Sequence, residues 1–396
     1  MGTSERRTVR DLRRGNRAML LRALYFGGPA SRNELSGATG LSAATVSTMT
    51  ADLLADNLVV EAGQVDSDGG RPRVLLRVNP AYGYAVGVDV GETRVSVELF
   101  DLEMKEHARA HYVVRSARHD PELVARHILT GVEAVIAESG VPAERVLGVG
   151  VGVPGIVEPG PGALVRAKTF AWEAVPLGTL LRAGTSLPLY VDNGAKTMGQ
   201  AELWFGSGRG TREAIIVLMG SGIGGTIVTG GTIYRGAGRA AGEVGHLKIV
   251  AGGRPCRCGA RGCLEAYLGA EAILDRAGIV ADSADEEAAL AGLLESGSPV
   301  IRESVDLLGV GLSSLVHLFN PERIVIGGWA GLMLGGRLLD EIRAATAANT
   351  LAQPFRPDSV VLGRLGPDAV ALGAATLVIE AFFGDAALRD PVPTIA

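Results

Sequence analysis

Cysteine is scarce in this chain, and long apolar runs are absent. The 396 residues include three cysteines, all within the short stretch 256–263. An odd number at such close spacing argues against a disulfide framework and favours a reducing environment. No apolar stretch approaches the ~18 residues of a membrane span. The arginine-rich N-terminus is not followed by the apolar segment of a signal peptide, so we expect a cytoplasmic protein without a membrane anchor.

The composition is otherwise that of a folded protein. Hydrophobic residues make up 47% and charged residues 20% of the chain. These proportions exclude a disordered chain, a collagen-like repeat and a coiled coil. The length is sufficient for two or three domains, each with its own core.

Charge is distributed unevenly along the chain. Residues 1–80 contain eleven arginines and eight acidic residues, a net charge of +3, whereas the whole chain carries −5 and the remainder therefore −8. A small basic region on an acidic body favours contact with a polyanion such as DNA. Six of the arginines lie within residues 6–17, and a solvated flexible tail is the alternative interpretation of that run alone.

The pattern of residues 1–80 predicts a winged helix-turn-helix domain. Ser31 and Glu34 form a capping box that starts one helix, and Ser42 is the N-cap of the next. A short glycine-containing turn between them is typical of a helix-turn-helix. The predicted elements are helices over 16–26, 31–40 and 42–55 and two strands, 58–60 and 74–78, around the polar loop 66–73.

After a linker at Asn79-Pro80, apolar strands punctuated by glycine alternate with helices, as in an α/β domain. The pattern occurs twice, and this repetition predicts a bilobal, actin-like fold. We assign the first lobe to residues 81–190, with a C-terminal helix at about 370–390, and the second lobe to residues 191–369. The predicted strands are 84–90, 94–101, 111–114, 146–153, 187–191, 214–219, 225–229 and 323–326, and the predicted helices are 121–138 and 304–319.

A cysteine–histidine cluster carries the sharpest chemical signal. Within the loop 246–263, three thiolates and one imidazole provide the donor set of a tetrahedral zinc ion. A site with four protein ligands is closed, so the ion would be structural and not catalytic. Three reduced thiols in a loop are the alternative, because the spacing is looser than in a zinc finger. The candidate ligands are His246, Cys256, Cys258 and Cys263.

Three glycine-rich turns are candidate phosphate-binding segments. Residues 89–93 lie between two predicted strands, residues 220–225 link two more, and residues 324–328 end a strand where an adenosine could lie. Backbone N–H groups in such turns can cradle phosphates. Each turn alone is weak evidence, because glycine also serves simple hairpins.

From residue 16 to about 380, the sequence resembles the ROK family of repressors and sugar kinases, particularly its transcriptional repressor branch. The motifs that carry the resemblance are Glu243-Val244-Gly245-His246, the Cys-x-Cys-Gly-x-x-Gly-Cys-Leu-Glu stretch at 256–265, Val151-Gly152-Val153-Pro154-Gly155 and Ala371-Leu372-Gly373-Ala374-Ala375. The resemblance implies a bilobal, ribonuclease-H-like ATPase fold and a zinc ion on His246, Cys256, Cys258 and Cys263. It also implies that Asn193, Glu243, His246 and Glu265 contact a sugar. Regulators of this family have the winged helix, whereas its kinases lack it.

The sequence departs from the family's kinases at the catalytic position. The kinases have an Asp-Asn-Asp-Ala-Asn-like run whose second aspartate takes the proton from the sugar, but here Gly194 stands in its place. A general base is typically worth 10²–10⁴-fold in rate. Asp192 is a poor substitute, since neighbouring strand positions face opposite ways.

The nucleotide and sugar motifs also differ from those of the kinases. Glu92 replaces a glycine and Arg94 a lysine in the first turn, and a carboxylate there repels a triphosphate. The family's Asn-containing loop before a tryptophan reads Lys168-Thr169-Phe170-Ala171-Trp172. These departures predict that phosphoryl transfer has been lost and that the body is not an enzyme.

The expected DNA contacts lie on the third helix and the wing. The N-terminal turns of a recognition helix enter the major groove, but residues 42–55 contain no lysine or arginine. Counterion release must therefore come from arginines in the wing or from those at 10, 13, 14 and 17, before the first helix. The candidate contact residues are Ser42, Thr45, Ser47, Thr48, Arg71 and Arg73. A head that docks a protein is the alternative.

We therefore expect a regulator, most simply a repressor of carbohydrate genes, that binds operator DNA as a homodimer or homotetramer and senses a sugar or sugar phosphate. Two other functions remain open from sequence. One is an active sugar kinase with an appended DNA-binding head, and the other is a regulator controlled by a protein partner.

Overall fold

A computed structural model describes residues 9–67, 70–114, 119–158, 160, 162–280, 285–353 and 355–386. The side chains of residues 9–11, 67, 70, 71, 385 and 386 lie outside this description. Within the described part, no helix combines the length and apolar character needed to cross a membrane.

The N-terminal region is a winged helix. Ser31 and Glu34 make the capping box of the second helix, which ends at Gly40 in the left-handed conformation, and Ser42 caps the third helix through the Thr45 N–H. These three features agree with the sequence prediction. The elements are α1 (Val9–Gly27), α2 (Arg32–Thr39), α3 (Ala43–Ala55), β1 (Val59–Ser67) and β2 (Gly70–Val78), and β1 and β2 pair antiparallel.

Two boundaries in this region were predicted wrongly. Helix α1 begins at Val9 and not at residue 16, so the arginines at 10, 13, 14 and 17 lie in the helix and not before it. Most of the expected polar loop 66–73 is strand, because β1 and β2 remain paired out to Ser67 and Gly70. Residues 61–66 are mostly exposed, so this part of the hairpin has no apolar alternation that would reveal a strand.

The body contains two five-stranded sheets with the same topology. One has the order β10-β6-β3-β4-β5 and the other the order β15-β14-β11-β12-β13, and in both the first strand is central. The next two strands continue antiparallel on one side, and the last two pair parallel on the other. The strands are β3 (Tyr84–Val90), β4 (Arg94–Asp101), β5 (Glu106–Val113), β6 (Val146–Val153), β7 (Ile156–Glu158), β8 (Leu164–Ala167), β9 (Trp172–Pro176), β10 (Leu189–Asn193), β11 (Ala214–Met219), β12 (Ile223–Thr229), β13 (Thr232–Tyr234), β14 (Arg323–Gly327) and β15 (Val360–Leu362).

This duplicated topology confirms the predicted bilobal α/β fold. Strands β6 and β11 have the predicted bounds, whereas β5 begins five residues earlier than expected and β10 is shifted by two residues. The small sheet β7-β8-β9 was not predicted, because its short strands are separated only by turns. The body helices are α4 (Pro121–Ser139), α5 (Leu177–Arg182), α6 (Gly194–Trp204), α7 (Glu265–Leu268), α8 (Ala270–Arg276), α9 (Glu286–Glu295), α10 (Pro299–Phe319), α11 (Trp329–Ala348) and α12 (Ala369–Ala386).

Helix α12 packs closely against the first sheet and α6. A Cβ atom on Gly150 of β6 would lie 1.9 Å from the carbonyl oxygen of Ala374, so only glycine permits this approach. A Cβ on Gly373 would lie 1.9 Å from the carbonyl oxygen of Thr197 in α6. The C-terminal helix thus returns to the first sheet, where the apolar face of the sheet buries it.

Aromatic side chains join the winged helix to the body. The Tyr25 ring lies 4.8 Å, between centroids, from Phe383 of α12, and the Phe26 ring lies 4.9 Å from Trp204 of α6. Arg209 donates a hydrogen bond of 2.8 Å to the Phe26 carbonyl. The head and the far ends of α6 and α12 therefore share one apolar core.

Candidate functional site

The four candidate metal ligands come together in the second lobe. One ligand atom from each of His246, Cys256, Cys258 and Cys263 lies within 4.8 Å of all the others. The Nδ1 atom of His246 is 3.8 Å from Sγ of Cys256, and Sγ of Cys258 is 3.7 Å from Sγ of Cys263. The three cysteines are free thiols.

Glycine at position 262 allows the loop to close around this cluster. Gly262 has a φ of +76°, and a Cβ atom there would lie 1.7 Å from the carbonyl oxygen of Val250. The Cys256 N–H donates to the carbonyl of Ala260, which closes the turn on the other side. Any side chain at 262 would push the loop open.

The chemistry of the donors fits a cation. Burial raises the pKa of Cys256 to about 12, so a thiolate there requires a nearby positive charge. Lys248 brings one positive charge to the cluster, but at another thiol, since its Nζ lies 2.8 Å from Sγ of Cys263. Three sulfur donors and one imidazole, partly buried and convergent, could hold a metal ion.

A cavity of about 390 Å³ separates the two lobes beside this cluster. The first lobe contributes residues 89–94 and 154–156, and the second contributes the turn 220–225. The four candidate ligand-binding residues, Asn193, Glu243, His246 and Glu265, all line this one cavity.

Three of these side chains already have structural partners. The Oδ1 atom of Asn193 accepts the Lys196 N–H at 3.1 Å as the N-cap of α6, and Nδ2 donates to the Gly155 carbonyl at 2.7 Å. The buried Glu265 accepts the N–H of Ile223 at 3.0 Å. The Nε2 atom of His246 lies 3.9 Å from Oε2 of Glu243.

Gly194 is the first residue of α6 and lines the same cavity. A Cβ atom on it would meet Val370 at 3.5 Å, an ordinary van der Waals contact, so the space would accept a larger residue. Asp192 lines a different cavity, is 5% exposed, and is paired with Arg235. It also accepts the Asn193 N–H at 2.9 Å, so it is held away from the cleft that Gly194 lines.

Each of the first two glycine turns is involved in a polar contact with a carboxylate. Glu92 of the first turn forms an ion pair with Arg257 of the cysteine loop, and Ser221 of the second turn donates to Glu286. Burial raises the pKa of Asp89 to about 7, and nearby Arg94 opposes this shift. Sequence reasoning missed Arg257 and Glu286, because Arg257 is the unspecified residue of the Cys-x-Cys motif, Glu286 belongs to no motif, and both act across long separations.

The Lys168–Trp172 segment is partly structural. Lys168 and Thr169 line the cleft, whereas the Phe170 ring is buried and stacks on His119 with centroids 3.7 Å apart. The Trp172 Nε1–H donates to the His119 carbonyl at 2.6 Å.

The candidate DNA contacts lie near the start of α3. Ser42, Ser47 and Thr48 are exposed, and Thr45 is partly exposed. Some of their hydroxyls have local partners: Ser42 Oγ is 2.9 Å from Thr45 Oγ1, and Thr48 donates to the Ala44 carbonyl.

The arginines of the head differ in their freedom to meet a phosphate. In the wing, the Arg73 side chain is 43% exposed and lies 3.9 Å from Glu34, whereas that of Arg71 lies outside the described residues. Arg13 pairs with Asp52 and Arg17 with Asp56, so these two arginines of α1 already have acidic partners in the head.

Fold and site together define a class of protein, namely a winged helix-turn-helix domain on a bilobal, kinase-like body with a cysteine–histidine cluster beside the cleft. The pattern of the ROK family matches residues 85–381, which is most of the chain. The chain belongs to the ROK family.

Similar proteins include both regulators and kinases. A putative xylose repressor from Caldicellulosiruptor sp. (strain Rt8B.4) is 30% identical over 383 residues, covering 92% of this chain and 95% of that protein. A crystal structure of a ROK family transcriptional regulator, a homologue of the E. coli MLC protein, has the same fold, with a TM-score of 0.75 and 24% identity over 94% of this chain and 97% of its own. A ROK family glucokinase from Streptomyces griseus, in complex with glucose and AMPPNP, has a TM-score of 0.63 and 28% identity, but covers 74% of this chain and 99% of its own. The two regulators match more than nine tenths of this chain, whereas the glucokinase matches about three quarters of it. In its extent, this chain therefore resembles the regulators.

Proposed function

We propose that this protein is a sugar-responsive transcriptional repressor of genes for carbohydrate uptake or metabolism, acting on DNA in the cytoplasm. The observation that carries the proposal is the combination of a winged helix with a cleft lined by Gly194, at the position where the resemblance to the family's kinases implies a catalytic aspartate. The full-length similarity to a putative xylose repressor supports both the repressor role and a sugar as effector.

The proposal assigns three functional units. Residues 1–80 bind operator DNA, residues 81–190 with the helix at about 370–390 form the first lobe, and residues 191–369 form the second. We assign DNA contacts to Ser42, Thr45, Ser47, Thr48, Arg71 and Arg73. Operators read by helix-turn-helix proteins are commonly pseudo-palindromic, so we propose a homodimer or homotetramer.

Zinc is the metal that fits the cluster. His246, Cys256, Cys258 and Cys263 would hold it with no open coordination position, so its contribution would be structural. With Nδ1 of His246 directed to the thiols, Nε2 remains available to the cleft. We propose that a sugar binds there among Asn193, Glu243, His246 and Glu265.

Two helices connect this site to the head. Helix α6 begins at the Asn193 cap in the cleft and ends at Trp204, which contacts Phe26 of α1. Helix α12 begins beside Val370 in the cleft and reaches Phe383, which contacts Tyr25. A ligand that changes lobe closure would therefore move two elements on which the head rests, and so change the spacing of paired heads.

A DNA-retardation titration at fixed salt, repeated with a panel of sugars and sugar phosphates that includes xylose, tests this function. We expect specific operator binding whose midpoint shifts at least tenfold with one sugar. If no sugar altered operator binding, and only a protein partner raised the melting temperature of this protein, a regulator controlled by that partner would be favoured.

The kinase alternative is tested separately by coupled measurement of ADP release over a hexose panel. We expect no turnover above background for the wild-type protein. Gly194→Asp is the matched variant, because the space at 194 accepts the side chain and the fold should persist. Sugar-dependent turnover by the wild type would overturn the non-enzymatic assignment.

A further inference from the structure

One ion pair joins the two lobes across the mouth of the cleft. Glu92 belongs to the turn after β3 in the first lobe, and Arg257 lies between Cys256 and Cys258 in the second. Both guanidinium nitrogens of Arg257 face the Glu92 carboxylate: Nη1 bonds Oε2, and Nη2 lies 3.1 Å from Oε1. The side chains are 19% and 30% exposed, so the pair is largely shielded from solvent.

The pair lies directly over the second glycine turn. A Cβ atom on Gly222 would stand 2.9 Å from Nη2 of Arg257 and 3.1 Å from Oε1 of Glu92. The Glu92 carboxylate of the first turn therefore lies against Gly222 of the second turn. In a turn that binds phosphate, backbone N–H groups converge on an anion in such a space.

Two carboxylates also accept hydrogen bonds from the second glycine turn. The Ile223 N–H donates to Glu265 at 3.0 Å, and the Ser221 hydroxyl donates to Glu286. Within the described residues, these donors of the turn are thus satisfied by the protein's own anions. A bound phosphate would have to displace them and would meet their charge.

Each partner of the ion pair is also held by contacts within its own lobe. The Glu92 carbonyl oxygen is 2.8 Å from Nε2 of His119, whose ring is stacked on Phe170. Arg257 is fixed by the tight cysteine loop, in which the Gly259 N–H donates to the Cys256 carbonyl. Because the backbone at each partner is already held, little further backbone entropy is lost when the two side chains pair, and this favours a persistent contact.

A second contact reinforces the same junction. Arg94, two residues beyond Glu92, has its Nη1 atom 3.5 Å from Oε1 of Glu287 in α9 of the second lobe. Two charged residues of one turn thus reach two elements of the opposite lobe.

We propose that the Glu92 carboxylate is the built-in anion of this cleft, occupying the place between the glycine turns that a phosphate group would take and, with Arg257, clamping the lobes together without a nucleotide. The clamp is independent of which effector the cleft binds. Removing Glu92 would leave the Arg257 guanidinium without its nearest carboxylate, so that an added anion could take the place of that carboxylate beside Gly222.

Calorimetric titration of the full-length, metal-loaded protein with pyrophosphate tests the anion site. We expect Glu92→Ala to bind pyrophosphate at least tenfold more tightly than the wild type, and the double variant Glu92→Ala/Arg257→Gln to lose that gain. Glu271→Ala is the matched control, because Glu271 also contacts Arg257, at 3.4 Å, but belongs to the same lobe. A gain in Glu92→Ala no larger than in Glu271→Ala would overturn the proposal.

Hydrogen exchange followed by mass spectrometry tests the clamp with a variant that keeps the side-chain volume. In Glu92→Gln we expect exchange of the 220–225 and 256–263 amides to be at least fivefold faster than in the wild type. Glu271→Gln should leave both segments unchanged. Equal protection in Glu92→Gln and wild type would show that the pair does not hold the lobes together and would overturn the clamp.

Discussion

The imidazole of His246 lies between Cys256 and Glu243, with its Nδ1 atom 3.8 Å from the Cys256 sulfur and its Nε2 atom 3.9 Å from an oxygen of Glu243, which also lines the cavity. A ring nitrogen that holds a metal fixes the direction of the other. The proposed zinc site and the proposed sugar site therefore share one side chain.

Removal of the metal should abolish the sugar response. Without an ion, the orientation of the His246 ring is no longer fixed, and the ring can no longer offer the sugar a hydrogen bond of defined direction. We expect chelated protein, and a Cys263→Ser variant, to show at least a tenfold loss of sugar affinity in isothermal titration. Ser207→Ala, which alters a buried hydroxyl away from the cluster, serves as the control. Full sugar affinity after complete metal removal would separate the two sites.

Replacement of Phe383 should uncouple the head from the cleft. The Phe383 ring is buried against Tyr25, so Phe383→Ala should cost about 3–5 kcal/mol in the free energy of unfolding. Where the protein remains folded, we expect sugar affinity to be retained while the sugar-induced shift in DNA binding shrinks. Parallel titrations of sugar and operator measure the two effects, and an unchanged shift would exclude this route.

Tyr25→Phe should stabilise the protein. The hydroxyl of Tyr25 is buried and has no hydrogen-bond partner among the described residues. Removing it relieves a desolvation cost of about 1 kcal/mol while the ring contacts with Phe383 and Trp204 persist. Denaturant unfolding at pH 7 measures the change, and a destabilised variant would point to a polar contact of this hydroxyl.

The wing arginines should determine the salt dependence of DNA binding. The slope of log K against log salt is negative, and each lost phosphate contact reduces its magnitude by about 0.9. We expect Arg71→Ala and Arg73→Ala each to make the slope less negative by about one. Arg356→Ala, an exposed arginine of the second lobe, should not change it. A slope that matches the wild type would remove that wing residue from the list of contacts.

Stability should fall as the pH rises through the neutral range, because of Glu98. Burial and, to a smaller extent, the nearby Asp368 raise the pKa of Glu98 to about 8, and Arg109, 3.9 Å away, opposes the shift. The folded state therefore keeps its proton between about pH 4.5 and 8 while the unfolded state loses it, and stability declines over that window.

Glu98→Gln removes this loss. We expect the variant to gain stability relative to the wild type as the pH increases from 5 to 9, by about 1 kcal/mol or more at the upper end. Urea unfolding at several pH values measures the difference, with the exposed Glu133→Gln as control. A pH-independent difference would show that Glu98 is ionised throughout.

Local signals explain what was predicted well. The Ser31 capping box, the Ser42 cap and strands β6 and β11 depend on hydrogen bonds and hydrophobic patterns within a few residues, and the structure has them as expected. The four candidate metal ligands could also be chosen from the sequence, because three cysteines and a histidine lie close together in one short segment.

The predictions that were wrong concern elements whose surroundings are distant in sequence. The full wing has polar strands that only cross-strand pairing reveals, and α1 extends through an arginine-rich run whose Arg13 and Arg17 pair with α3. Position 92 was predicted to repel a triphosphate, but its partner Arg257, 165 residues away, could not be inferred.

By itself, the sequence determined the winged helix, the repeated α/β pattern, the donor set of the cluster and the presence of glycine at position 194, because each is a matter of residue type or short-range spacing. Only the tertiary structure decided that Asp192 pairs with Arg235, that Glu92 pairs with Arg257 of the opposite lobe, and that α6 and α12 both run from the cleft to the head. These contacts arise when two lobes and a head pack together, and that packing is fixed by the sum of many long-range contacts which no local segment records.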